Sequence, residues 1–213
     1  MIAQGSKVQV VDHPLAQHLL TRLRAHQTAP HQFRRYALSL SDFLVYEAAR
    51  QMTVRETGIE TPVAPTKGVV LSDYVVLAPV LRAGLIMAEA AQKLMPAARI
   101  YHVGLKRDEE TLEAKCYYDK LPGSLPNDCR VFVLDPMLAT GGSLIHTCEL
   151  LRHAAAGHMT VVCVLASPQG VAAFEAEGFD ATVYTASIDT RLNEHKYIVP
   201  GLGDAGDRQF GLA

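Results

Sequence analysis

From residue 74 onward the chain alternates short, uninterrupted apolar runs with helix-like segments, and this alternation restricts the fold more than any other feature. Residues 74–79, 99–105, 130–134, 160–166 and 181–184 are the apolar runs, and residues 85–94, 142–156 and 168–177 carry helical spacing between them. A strand that is apolar at successive positions, rather than at every second one, is buried on both faces. Helices between such strands supply both covers. The reading is therefore an α/β fold with a mainly parallel central sheet flanked by helices. Sheets of this kind bind ligands at the carboxyl ends of their strands, which is where the chemistry should gather.

Ahead of this region the pattern is helical. Asp12 and Pro14 can open a helix with Leu15, Leu19, Leu20 and Leu23 as its apolar positions. A second helix is expected from about residue 32 to 52, with Leu40, Phe43, Leu44 and Ala48 on one face. Residues 61–67 hold Pro62 and Pro65 and read as a connector. Residues 106–121 are polar and charged, and read as a long loop or a hairpin. A chain of 213 residues, 49% of them hydrophobic, can fill one sizeable core but not two large ones, so residues 1–213 are read as a single domain.

Composition excludes several functions. A formal net charge of −2 and 7% aromatic residues argue against a nucleic-acid partner. The longest apolar runs are too short to cross a bilayer, and residues 1–10 lack a signal-peptide pattern, so no membrane partner is expected. Cys116, Cys129, Cys148 and Cys163 form no CxxC pair, which suits reduced thiols and a cytoplasmic location. His146, His153 and His158 match no zinc spacing.

The sharpest local signal follows the apolar run Val131-Phe132-Val133-Leu134. It reads Asp135-Pro136-Met137-Leu138-Ala139-Thr140-Gly141-Gly142-Ser143. A buried strand ends in an acid, and a turn of small residues then opens a helix. Small residues let backbone N–H groups converge on an anion, and the helix start adds unpaired donors and a positive dipole end. Thr140 and Ser143 can add hydroxyl donors, while Asp135 is placed to accept from sugar hydroxyls. A phosphorylated sugar would satisfy both halves. No lysine follows the glycines, so this is not a Walker loop, and the spacing is not that of GxGxxG.

This segment resembles the phosphoribosyl pyrophosphate (PRPP) loop of the type I phosphoribosyltransferases. Pro136, where most of that superfamily has a second acid, looks like the uracil branch. Three more segments carry the likeness. Pro79-Val80-Leu81-Arg82-Ala83-Gly84 is a second strand-to-helix turn; by itself it reads equally well as a capped turn with a surface arginine. Arg107-Asp108-Glu109-Glu110-Thr111 would otherwise be a solvated charge run. Tyr197-Ile198-Val199-Pro200-Gly201-Leu202-Gly203-Asp204-Ala205-Gly206-Asp207-Arg208 reads by composition as a turn-rich tail, yet it is similar at every position to the hallmark of uracil phosphoribosyltransferases.

The resemblance runs from about residue 8 to 210. It implies a small hood from the N- and C-terminal segments and a protruding hairpin arm, to which Tyr117-Tyr118-Asp119-Lys120-Leu121-Pro122 is assigned. It implies PRPP contacts from Arg82, Arg107, residues 135–143 and Asp204, and uracil recognition by the backbone at Ile198, Gly203, Asp204 and Ala205. Arg107, Asp135 and Asp204 are the residues it places at the reacting centre. Mg²⁺ would be held mainly by PRPP, with Asp204 as a further contact and no direct set of protein ligands. A homodimer or higher homo-oligomer and a GTP effector are also implied. Ile86, Glu89, Ala90, Gln169 and Lys196 depart from the pattern, Lys196 standing where glycine is usual. Other readings stay open at this point: a transferase for another base, a sensor that has lost turnover, or an interaction subunit.

Overall fold

The apolar runs become the central strands of one sheet. The computed structural model describes residues 7–107, 114–126 and 128–212, and for residues 106, 107, 114 and 115 it describes the backbone alone. In chain order the elements are β1 (Val8–Val10), α1 (Pro14–Arg24), α2 (Pro30–Ala48), β2 (Val54–Glu60), β3 (Pro65–Leu71), β4 (Tyr74–Leu81) and α3 (Leu85–Leu94). Then follow β5 (Arg99–Ile100), β6 (Val103–Arg107), β7 (Ala114–Asp119), β8 (Cys129–Leu134), β9 (Met137–Leu138) and α4 (Gly142–His153). The last are β10 (Met159–Ala166), α5 (Pro168–Ala176), β11 (Ala181–Ile188), β12 (Arg191–Leu192), β13 (Ile198–Val199) and α6 (Ala205–Phe210).

The sheet runs β1-β11-β10-β8-β4-β6-β7, with β5 on β4 and β9 on β10. Every pairing in it is parallel except β6 with β7. The strands bury both faces, as the unbroken apolar runs require. In β8, Phe132 and Leu134 join Leu40, Leu44 and Met87 under α2 and α3, while Val131 and Val133 join Leu144, Leu151 and Phe174 under α4 and α5. All eight residues of β10 are buried. The period-2 alternation is present but hidden, because both faces are apolar.

Several details differ from the sequence reading. Leu15 is 54% exposed, and α1 buries Ala16, Leu20 and Leu23 instead. His13 rather than Asp12 caps this helix, its ring Nδ1 accepting from the Leu15 N–H at 3.2 Å. Helix α2 stops at Ala48 and tightens into a 3₁₀ turn over Ala49–Gln51. The largest difference follows it. Residues 54–71 form a two-stranded antiparallel hairpin, pairing Val54 with Leu71 through to Glu60 with Pro65, so the expected connector survives only as its tip. Val54, Thr57, Ile59, Val69 and Val70 favour extended backbone, but with most of the hairpin exposed there is no buried stripe to announce it. This hairpin stands apart from the sheet and is the protruding arm. The hairpin read over residues 106–121 is also present, as β7 paired antiparallel to β6, but it continues the sheet's edge, so its tyrosines lie there and not on the free-standing arm.

The hood is formed where the end of α1 meets the C-terminal segment. Arg24 forks onto both oxygens of Asp189, at 2.7 and 2.6 Å, and donates to the Gly201 carbonyl at 2.8 Å. Arg208 donates to the carbonyls of Leu23, Leu202 and Ala25 and lies over the Phe33 ring. Two arginines thereby fix a loop that has little regular structure of its own.

Candidate active site

Three chain segments meet beyond the carboxyl ends of β4 and β8, around a cleft of about 370 Å³. The first is the loop after β8. Asp135 ends the strand, 8% exposed; its N–H is held by the Val162 carbonyl at 3.2 Å and its Oδ1 accepts from the Met137 N–H at 3.2 Å. From there the loop alternates like a strand. Asp135, Met137, Ala139 and Ser143 line the cleft. Pro136 turns its carbonyl to Val164 and Leu165 of β10, and Leu138 is fully buried on the far side. Of the nine residues in this string, the side chains of Pro136 and Leu138 therefore belong to the scaffold. Gly141 caps α4 with φ of 92°, a backbone angle that residues bearing a Cβ rarely adopt, and a Cβ there would lie 3.1 Å from Ile145 Cδ1. This turn aims the first N–H groups of α4, which have no partner within the helix.

The second segment is the turn from β4 into α3. The peptide between Leu81 and Arg82 is cis. Gly84 packs where a Cβ would collide with the Leu134 carbonyl, so the turn lies directly against the end of β8. The Arg82 guanidinium meets Asp207 at 3.2 Å and lies 5.9 Å from the centre of the Phe210 ring. Leu81, Arg82 and Ala83 line the main cleft, and they also line a neighbouring hollow of about 420 Å³ that reaches Tyr117.

The third segment is the loop after β13. Ile198 and Ala205 are buried at the cleft wall, and Gly203 (φ 81°) and Asp204 are on its lining. Asp204 caps α6, Oδ1 accepting from the Asp207 N–H at 2.8 Å. Behind the loop, Asp189 accepts from Arg24, from the Gly201 N–H and from Ser187. Burial alone would raise the Asp189 carboxyl, but these bonds and the Arg24 charge outweigh it and hold it below its ordinary value.

The described site residues inferred from sequence thus meet around one cleft, except that Pro136 and Leu138 turn into the scaffold and Thr140, Gly141 and Gly142 serve the turn beside it. The backbone of Arg107 ends β6; its side chain, and residues 108–111, lie outside the described set. Sequence reasoning passed over Leu105, Tyr117, Lys196 and Tyr197 as lining residues. Lys196 could have been found from its own departure: its φ is 64°, the left-handed region in which glycine is favoured. A larger hollow of about 690 Å³ lies between residues 9–13 and helices α2 and α3. It is away from the strand ends, and two cations on its wall are already paired, Lys93 with Asp42 at 2.6 Å and Arg50 with Glu47 at 2.8 Å.

A parallel sheet that presents an acid-led glycine turn and an arginine turn to the same cleft defines the class, a type I phosphoribosyltransferase. Comparison with known proteins narrows this. The model of the family described as uracil phosphoribosyltransferase matches residues 10–212. The chain is 49% identical to a uracil phosphoribosyltransferase of Streptomyces avermitilis, over 97% of this chain and 99% of that one. It is 45% identical to one from Dictyoglomus turgidum, over 96% and 99%. The solved structure of the AQ2163 protein from Aquifex aeolicus superposes with a TM-score of 0.89 at 35% identity, covering 97% of this chain and 99% of that one. The chain belongs to the uracil phosphoribosyltransferase family.

Proposed function

We propose that this chain, as a single domain, transfers the 5-phosphoribosyl group from PRPP to uracil, giving UMP and pyrophosphate, a step of pyrimidine salvage. One observation carries the reading: the anion turn at residues 135–143, the arginine turn at Arg82 and the loop at residues 198–205 share a single cleft. The turn at the start of α4 receives the 5′-phosphate, and Asp135 accepts from the ribose hydroxyls. Arg82, with Arg107 from the end of β6, meets the pyrophosphate. The bond from C1 of ribose to pyrophosphate breaks as the bond to uracil N1 forms. The electron pair of the broken bond leaves with pyrophosphate, and the N1 proton is lost. Catalysis is then mostly positioning and electrostatic stabilisation of the leaving charge.

Uracil presents acceptor, donor and acceptor along one edge. Backbone groups at Ile198, Gly203, Asp204 and Ala205 can match that order, and cytosine would leave some of them unpaired. The two cleft carboxylates, Asp135 and Asp204, are hard oxygen donors and fit Mg²⁺ entering with PRPP. Bound there, the ion would neutralise pyrophosphate charge.

Four free thiols accord with a cytoplasmic location, and among the described residues no helix is long and apolar enough to cross a membrane. Exposed Val54, Ile59, Val63 and Val69 on the arm offer apolar surface to a second copy, which supports a homodimer or higher homo-oligomer. Sedimentation at micromolar concentration tests that. A GTP effector rests on the family resemblance alone, and turnover with and without GTP tests it.

The decisive assay supplies PRPP and Mg²⁺ with uracil, cytosine, orotate, hypoxanthine or adenine, and follows nucleotide and pyrophosphate by chromatography. UMP from uracil alone is expected. Turnover with a different base instead would overturn the assignment of residues 198–205. PRPP binding without turnover on any base would favour a sensor.

A further inference from the structure

The last helix, α6, grips the arginine turn at several points through residues with no role assigned so far. Gln209 is 2% exposed, and its Nε2 donates to the Ala83 carbonyl at 3.1 Å. Its Oε1 is buried and has no hydrogen-bond partner among the described residues. A buried amide oxygen without a partner is unfavourable. Turning the amide over would set Oε1 against the Ala83 carbonyl, acceptor against acceptor, so the donor is fixed in place. Leucine or methionine would fill the same space without the orphan oxygen. Glutamine therefore keeps one unfavourable atom and gains one bond, and that bond lands on the residue next to Arg82.

Asp207, two residues earlier, meets the Arg82 guanidinium at 3.2 Å, and Phe210 lies under the same group. The helix itself begins at Asp204, whose carboxylate caps it. One end of α6 is thus part of the loop assigned to the base, while its body holds the turn assigned to pyrophosphate.

We infer that α6 is a clamp that sets the arginine turn, with Gln209 and Asp207 as its positioning residues. The inference rests on the assignment of pyrophosphate to the Arg82 turn. It separates two ligands: pyrophosphate needs the clamped turn, whereas UMP occupies the phosphate turn and the base loop and does not. Titration calorimetry with pyrophosphate and with UMP, both in Mg²⁺, reads this directly in the wild type and in Gln209→Met. The pyrophosphate affinity of the variant is expected to fall about threefold to tenfold, the factor one neutral hydrogen bond carries. UMP affinity should stay within about twofold, the factor below that of one such bond. The melting temperature should hold or rise, because the orphan oxygen is gone.

Unchanged pyrophosphate affinity would overturn the clamp. So would equal weakening of both ligands with a lower melting temperature, which is the signature of a packing role. If Gln209→Met does not fold, Asp207→Asn at the exposed end of the grip carries the same test, since its backbone N–H still serves the Asp204 cap. The two readings fail separately. A wild type that makes no UMP and binds no pyrophosphate defeats the function proposed above, whereas a productive wild type with an unaffected Gln209→Met defeats only the clamp.

Discussion

At Gly141 a single backbone angle aims the anion turn. With φ at 92°, an alanine would strain the cap of α4 and press on Ile145. Gly141→Ala should cost about 1–3 kcal/mol of stability in urea unfolding, and should lower kcat/KM for PRPP by at least about tenfold, the factor for 1.4 kcal/mol of lost transition-state contact. Lys196 is the opposite case, a side chain kept at φ of 64°. Lys196→Gly relieves about 1–2 kcal/mol of left-handed strain and gives back about 0.5–1 kcal/mol through the freer unfolded chain. Stability should therefore hold or rise slightly. If the lysine serves the cleft it lines, pyrophosphate affinity should fall about twofold to fivefold and the loss should shrink in high salt. A purely local turn residue would leave that affinity unmoved. Gln209 and Tyr117 were not legible as site residues, because each becomes one only when a distant segment is folded beside it.

At the scale of elements, the hood depends on the Arg24–Asp189 fork, in which the Asp189 side chain is 3% exposed. The Asp189 carboxyl is held below its ordinary value, so the folded state binds its proton less readily than the unfolded chain does. The sign follows: its stabilisation is complete above the unfolded value, about pH 4, and is lost as pH falls through the lower folded value. Melting followed from pH 6 down to pH 2.5 should show a fall in stability below about pH 4 that Asp189→Asn largely abolishes. That variant should lose about 3 kcal/mol at pH 7, because Arg24 is left without its buried partner. Sequence reading recovered the strands and the helices between them because burial on both faces leaves unbroken apolar runs. It missed β1, a three-residue edge strand, the short β13 and helix α6 within what reads as a turn-rich tail, and the β2–β3 arm, in which exposure erases the pattern.

The whole molecule sorts its cysteines by burial. Desolvation pushes the thiols of Cys148 and Cys163 up to about 12 and that of Cys129 to about 11, while Cys116 is exposed on β7. A disulfide reagent at pH 8 should therefore label Cys116 in the native protein and the other three only on unfolding, read by mass spectrometry of the labelled peptides. Rapid native labelling of Cys148 or Cys163 would mean that the layer under α4 opens far more readily than its packing allows. By itself the sequence determined the layered parallel sheet, the strand-end acid and the glycine turn, because each depends on neighbours within a few residues: an unbroken apolar run, an acid at its end, a residue free to take positive φ. Only the tertiary structure decided that Arg82, Asp135 and Ile198 face one another, that Pro136 and Leu138 turn away from the cleft, and that α6 holds the arginine turn. Those facts depend on how β4, β8 and the C-terminal loop pack, and contacts between segments far apart in the chain leave no periodic trace along it.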